Sequence, residues 1–364
     1  MTLTIDLPTL QKAVRAILPL AKDGYQPSSR NAAFVWEHDA LWIVSGSFQT
    51  KLAGAYVGSE REEAIENKFF DPYLLSLHIN DSFLLVTSVK VSDTGNALRF
   101  ATGKTRRDLG YEYDPNFSGF ISIPEANDTK LPDLFDHIQV ANLASTVRGH
   151  VLCGVYIAIY DGVARILSMN GIELGYVWYD VPDEIDQTIV LNAEFLLFAR
   201  KFFSKDESPK FILDEAKSWF LTEHLWTFAP VMNTEKYPGV QVLDHVIDYA
   251  GGSIMKVPVD ELASYLSIIS SSAGKEFARV LLAEEEGSLV LTYTSQVGEE
   301  SIYRIECTGT FDGTFLTSAA GLVKITRVLE DSVGMFVNIQ IHKNGNWIVI
   351  RPDNGAIYCT TRIK

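Results

Sequence analysis

The chain has 364 residues, more than one ordinary core of about 100 to 200 residues accommodates, so two or three domains are expected. With 47% hydrophobic and 21% charged residues and no long biased tract, it reads as a folded protein rather than a disordered one. The balance of 31 Lys+Arg against 46 Asp+Glu, net −15, excludes a protein that coats nucleic acid with its whole surface, yet leaves room for a small basic patch. Cys153, Cys307 and Cys359 are too scattered for a disulfide framework or paired zinc ligands, and reduced thiols are expected. The start lacks the basic and apolar regions of a secretory signal, and the most apolar run, residues 151–160, is half of the roughly 18 residues of a membrane span. These features predict a soluble, cytoplasmic protein.

In chain order, Leu7, Leu10, Val14, Ile17 and Leu18 have amphipathic spacing and predict an opening helix. A hairpin follows, residues 34–39 turning into 40–45, then a third strand at 51–57, a second helix at 69–79 and a strand at 98–101. The pattern then returns. Val140, Leu143 and Val147 restate the opening helix, 156–162 turns into 163–168, a third strand lies at 173–181, a helix at 193–203 and a strand at 219–222. It returns once more, with Val259, Leu262, Leu266 and Ile269, the hairpin 280–293, a strand at 301–307, a helix at 318–329 and a strand at 347–350. The second hairpin strands begin at Ala40, Val163 and Ser288, offsets of 123 and 125 residues, and the second helices at Phe69, Ala193 and Ser318, offsets of 124 and 125. A repeat of this kind sets the whole fold. It predicts an α+β protein of three similar tandem domains, 1–123, 124–247 and 248–364, with turn-rich linkers at 124–132 and 243–253.

The sequence carries no catalytic motif with its full spacing. Gly103-Lys104-Thr105 has the tail of a phosphate-binding loop, but the position that needs the earlier Gly holds Leu98, and no helix follows. The seven His form no His-Glu-x-x-His pair, and the Gly-Ser dipeptides lack the context of a nucleophile elbow. Acidic runs such as Asp206-Glu207 and Glu284-Glu285-Glu286 read as solvated turns. No catalytic residue, metal or cofactor is expected.

The basic residues say more by position than by number. Lys12 and Arg15 lie at i, i+3 on the polar side of the first helix, Arg200, Lys201 and Lys205 in and after the fourth, and Lys324 and Arg327 at i, i+3 in the last. A solvated amphipathic helix explains each alone. Recurring in three repeats, the placement points to a shared surface that tracks phosphates without reading sequence.

Several passages carry a family resemblance. The run from Leu98 to Arg106 followed by Asp114-Pro115-Asn116-Phe117, the Leu152-Cys153-Gly154 strand start, the passage from Arg165 to Leu174, Lys236-Tyr237-Pro238-Gly239, and Ala356-Ile357-Tyr358 before the last strand occur in the order and spacing of one family. The chain resembles the β sliding clamp of bacterial DNA polymerase III, phage-encoded relatives included. The resemblance implies a ring of two protomers joined head to tail, twelve helices lining a hole that encloses double-stranded DNA, and tethering of the DNA polymerase for processive synthesis. It implies no enzymatic activity. DNA-facing cations would be Lys12, Arg15, Arg148, Arg200, Lys201, Lys205, Lys324 and Arg327. Polymerase and clamp loader would dock short peptides into an apolar pocket at Leu152, Met169, Gly171, Leu174, Pro238, Val242, Arg362 and Ile363. Plain inter-domain core is an alternative reading of Leu152, Leu174 and Val242. Ile172-Glu173 stands where the family has His-Arg, and Cys359 to Lys364 replace its Met-Pro-Met-Arg-Leu ending, so partner motifs of the usual type are expected to bind poorly. Asp260 and several Ser on the third opening helix predict an uneven DNA-facing surface. A rival reading is a clamp-fold phage protein that serves as an interaction platform, in late transcription or in capture of host replication factors, without a role in processivity.

Overall fold

The computed structural model describes residues 2–23, 31–47, 51–80, 86–103, 105–117, 121–124, 131, 134–147, 150–182, 185–203, 208–214, 216–239, 241–242, 252–272, 279–295, 298–330, 336–352 and 356–363. Most of both expected linkers, and Lys104, Arg148, Lys205, Asp206 and Glu207, lie outside them. Six α-helices fall among the described residues: α1 (Leu7–Asp23), α2 (Pro72–Asn80), α3 (Leu134–His137), α4 (Ala193–Phe202), α5 (Val259–Ser272) and α6 (Ala319–Glu330). The chain divides into two compact units, Met1–Phe135 with Phe198–Val231, and Asp136–Leu197 with Met232–Lys364.

In the first unit Asp6 starts α1, its carboxylate accepting the Thr9 amide at 2.8 Å and the Thr9 hydroxyl at 2.6 Å. The stripe Leu7, Leu10, Val14 and Ile17 is buried, against α2 and the strands Ala40–Ser47 and Lys51–Gly58. Those strands belong to a six-stranded antiparallel sheet ordered Lys210–Asp214, Lys217–Leu221, Leu225–Pro230, Lys51–Gly58, Ala40–Ser47, Ala32–Glu37. Its core gathers Trp42, Trp219, Trp226 and Phe228. Gly54 lies beneath the Trp226 ring, where any Cβ would collide with the indole. A four-stranded sheet, Leu3–Asp6, Ser88–Asp93, Ala97–Thr102 and Thr105–Gly110, ends on that last strand.

The second unit repeats the scheme on a larger sheet of nine strands, ordered Gln187–Asn192, Gly154–Tyr160, Val163–Met169, Glu173–Asp180, Ile357–Thr361, Trp347–Pro352, Phe336–Ile341, Met255–Pro258, Thr308–Gly309. The two large sheets are joined alike. In each, the third strand of one repeat pairs with the closing strand of the next, Leu225 opposite Ala55 in one and Leu174 opposite Cys359 in the other. Helices α5 and α6 pack together, and a second sheet of four strands ends on Glu300–Glu306.

The second repeat departs from the expected opening helix. Instead of one helix carrying Val140, Leu143 and Val147, the chain makes the single turn α3 and a 3-10 helix over Ile138–Leu143, and Val147 is 63% exposed. The reason is local. Asn142 and Ser145 bond nearby backbone, to the Gln139 carbonyl and the Val147 amide, which competes with helical pairing. The 3-10 segment lies flat on the sheet because Gly175 has no Cβ, which would meet Leu143 and Val140 at 2.6 Å.

Candidate partner site and cationic helix faces

Strand alternation puts Leu167 and Met169 of one strand, Leu174 and Tyr176 of the next, and Ile357 and Cys359 of the third on one face of the nine-stranded sheet. Tyr237 packs onto this face, with Met232 and Val242 at its edges. Leu152, Val151, Tyr156 and Trp347 complete the rim, each only partly buried. Tyr156 and Tyr237 stack at 5.5 Å with 13° between their planes. Burial pushes the Tyr237 phenol well up, and its hydroxyl donates to the Leu167 carbonyl at 3.4 Å. Burial likewise raises the Cys359 thiol, which leaves an inert, apolar floor.

Of the eight expected site residues, Leu152, Met169, Leu174 and Val242 join this one cluster. Pro238 is exposed beside Tyr237, and Gly171 occupies the positive-φ turn (φ 93°) between two of the strands. Arg362 and Ile363 are held elsewhere. The Arg362 guanidinium donates to the Thr314 carbonyl at 2.8 Å and covers the Phe315 ring, while the Ile363 amide bonds the Leu316 carbonyl at 2.9 Å. Tyr156, Met232 and Trp347 were not singled out by sequence, although Tyr156 falls in the right alternation along Gly154–Tyr160.

Glu173, which stands where the resemblance has a basic residue, takes a structural place beside the cluster. Asn170 accepts the Ile172 and Glu173 amides at 2.9 and 2.8 Å, shaping the turn, and its side-chain amide donates to the Glu173 carboxylate. Glu173 is 5% exposed, and its carboxylate fits against the first turn of α6, where Gly321 leaves the room a Cβ would fill. Lys324, one turn on, brings its Nζ to 3.8 Å.

The other expected cations that fall among the described residues sit on helices. Lys12 and Arg15 are exposed on α1, Lys201 is exposed and Arg200 half-buried at the end of α4, and Arg327 is exposed on α6. In contrast α5 presents Asp260, Ser264, Ser267, Ile268 and Ser271 along a shallow outward depression. Among the described residues no group of three or more His, Cys, Asp or Glu could hold a metal, and no helix is long and apolar enough to cross a membrane.

No protein-family model and no curated protein sequence matches the chain. Solved structures do. The DNA polymerase III subunit beta of Pseudomonas aeruginosa matches with TM-score 0.82 at 14% identity, covering 100% of both chains. The DNA polymerase sliding clamp of Bacillus subtilis matches with TM-score 0.80 at 14% identity, covering 100% of this chain and 99% of that one. The DNA polymerase III beta subunit of Thermotoga maritima matches with TM-score 0.80 at 16% identity over the same shares. The fold of the chain is therefore that of the bacterial sliding clamps from end to end, as the threefold period and the ordered motifs led one to expect.

Proposed function

We propose that the chain is a DNA sliding clamp: a non-catalytic processivity factor whose two copies close around duplex DNA and tether a DNA polymerase and its loader. The observation that carries the reading is the full-length fold match combined with cations on the helices and an apolar cluster on one face of the nine-stranded sheet. In this reading the three repeats, 1–123, 124–247 and 248–364, are the clamp domains. Net acidity keeps the body off the duplex, while Lys12, Arg15, Arg200, Lys201 and Arg327, with Arg148 and Lys205, hold phosphates loosely enough to slide. Lys324 contributes less, because Glu173 neutralises it. Partner peptides dock at Leu152, Met169, Leu174 and Val242, with Gly171 and Pro238 at the rim; Arg362 and Ile363 support the site through the terminal strand.

In this reading the ring closes through two sheet edges. Among the described residues, Thr105–Gly110 and Glu300–Glu306 each pair on one side alone. Long open edges invite strand addition. The first exposes Arg106 and Arg107, and the second exposes Glu300 and Glu306 with Ile302 55% exposed between them. Opposite charge and similar length, six residues against seven, favour head-to-tail pairing of one copy's first edge with the other copy's second, a heterologous contact that closes after two subunits.

The test is topological. Protein assembled in the presence of circular plasmid stays with the plasmid through gel filtration in high salt and is released when the circle is cut. Equal loss from circular and cut DNA overturns the reading, and polymerase binding without a gain in processivity favours the interaction-platform alternative.

A further inference from the structure

The apolar face that holds the partner cluster does not stop at Tyr176. Leu174, Tyr176 and Trp178 share one side of the strand Glu173–Asp180, and the Tyr176 and Trp178 rings lie 5.1 Å apart. Trp178 is 38% exposed. Directly opposite it across the sheet stands Arg165, whose guanidinium lies 3.7 Å over the Tyr160 ring and donates to the Tyr160 and Val163 carbonyls at 2.9 and 3.1 Å. These bonds commit Arg165 to fixing the aromatic platform. The result is a patch of Trp, Tyr and Arg, the residue types that dominate binding hot spots, continuous through Tyr176 with the Leu174 and Met169 floor.

We infer that this patch is a second anchor subsite for an extended partner peptide, taking an aromatic side chain about four residues from the apolar anchor that fills the Leu152 and Leu174 site. The inference rests on the partner-site reading above and adds to it the spacing and class of a second recognition residue. The spacing follows from geometry: Leu174 and Trp178 are four strand residues apart, roughly 13 Å, which is the separation of side chains i and i+4 in any extended chain. The neighbouring Asp161 and Asp180 are exposed and disfavour an acidic occupant, and the committed guanidinium of Arg165 leaves ring stacking as the recognition mode.

The experiment measures fluorescence anisotropy of fluorescein-labelled Gly/Ser peptides on the full chain. One peptide carries a Leu-Phe pair alone, and two others add Trp four residues before or after it. One Trp-bearing peptide is expected to bind roughly tenfold tighter than the plain one, with the gain lost in Trp178→Ala and largely kept in Trp178→Tyr. Val242→Asp is expected to weaken all three. Equal affinity of the three peptides, with Val242→Asp still weakening them, overturns the second subsite and leaves the partner site standing. Binding of none of them to the wild-type chain overturns both. A change of oligomeric state in Trp178→Ala also overturns it, since the patch would then be covered by a second copy of the chain.

Discussion

The carboxylate of Glu173, on the first residue of a central strand, is buried against the helix α6 with the Lys324 ammonium 3.8 Å away. This pair ties a turn of the second repeat to a helix of the third. A buried charge stripped of its counter-ion is costly. Lys324→Ala is therefore expected to destabilise by about 1–2 kcal/mol, discounted because Lys324 is partly exposed, as measured by the urea midpoint. Adding Glu173→Gln to Lys324→Ala restores most of the loss. Equal destabilisation of the single and double variants contradicts the pairing.

Removing the Tyr237 ring leaves a hole beneath Tyr156. Tyr237→Ala is expected to lower stability by about 3–5 kcal/mol in thermal unfolding, the range for large buried aromatics, and Tyr237→Phe by far less because its hydroxyl makes one long bond of 3.4 Å. Similar losses in the two variants would assign the stability to the hydroxyl.

The edge-strand closure makes a separate forecast. Ile302→Asp, or Arg106→Glu with Arg107→Glu, is expected to convert the proposed dimer to chains of 40.5 kDa in analytical ultracentrifugation at micromolar concentration. Both sites are exposed in the single chain, so the thermal midpoint of the monomer stays near its former value. Unchanged mass in every variant refutes the pairing.

Lys68 and Asp93 set a pH dependence. Their charged atoms lie 2.5 Å apart, and the Lys68 ammonium also covers the Tyr111 ring at 4.4 Å. The hydrogen bond from Lys68 holds the Asp93 carboxyl below its ordinary value of 3.8. Burial works to lower Lys68, and the bonds to Asp93 and Tyr111 outweigh it and raise it. A carboxyl depressed in the folded state takes up its proton later than in the unfolded chain, so its contribution is complete above about pH 4 to 5 and is lost as pH falls through the depressed value. Asp93→Asn is expected to flatten the acid limb of stability against pH. An unchanged limb contradicts the assignment.

Cations on the helices predict salt behaviour. Neutralising Arg15, Lys201 and Arg327 together lowers the slope of log affinity for duplex DNA against log salt by up to about 0.9 for each phosphate contact removed. Lys324→Gln changes it less, since Glu173 already balances that charge.

How much of this was legible in the sequence differs by level. The repeat was legible because each hairpin carries its own turn chemistry: Asp161-Gly162 and Glu286-Gly287 both adopt positive φ, as such turns require. The 3-10 turn in place of a second opening helix is not legible in the sequence, because Val140 and Leu143 serve either form equally well and Gly175, far along the chain, decides how flat that segment lies. The cluster positions Leu152, Leu174 and Val242 came from the resemblance, not from pattern. The Glu173 and Lys324 pair could not be read from either residue, since it depends on Gly321 opening α6 to a strand nearly 150 residues earlier in the chain.

The central claim, that two copies enclose a duplex-sized hole, is tested most directly by electron-microscope class averages of the purified protein. The account predicts closed rings with the mass of two 40.5 kDa chains and a central opening wide enough for duplex DNA. Single crescents at micromolar concentration, or closed particles without an opening, would contradict it.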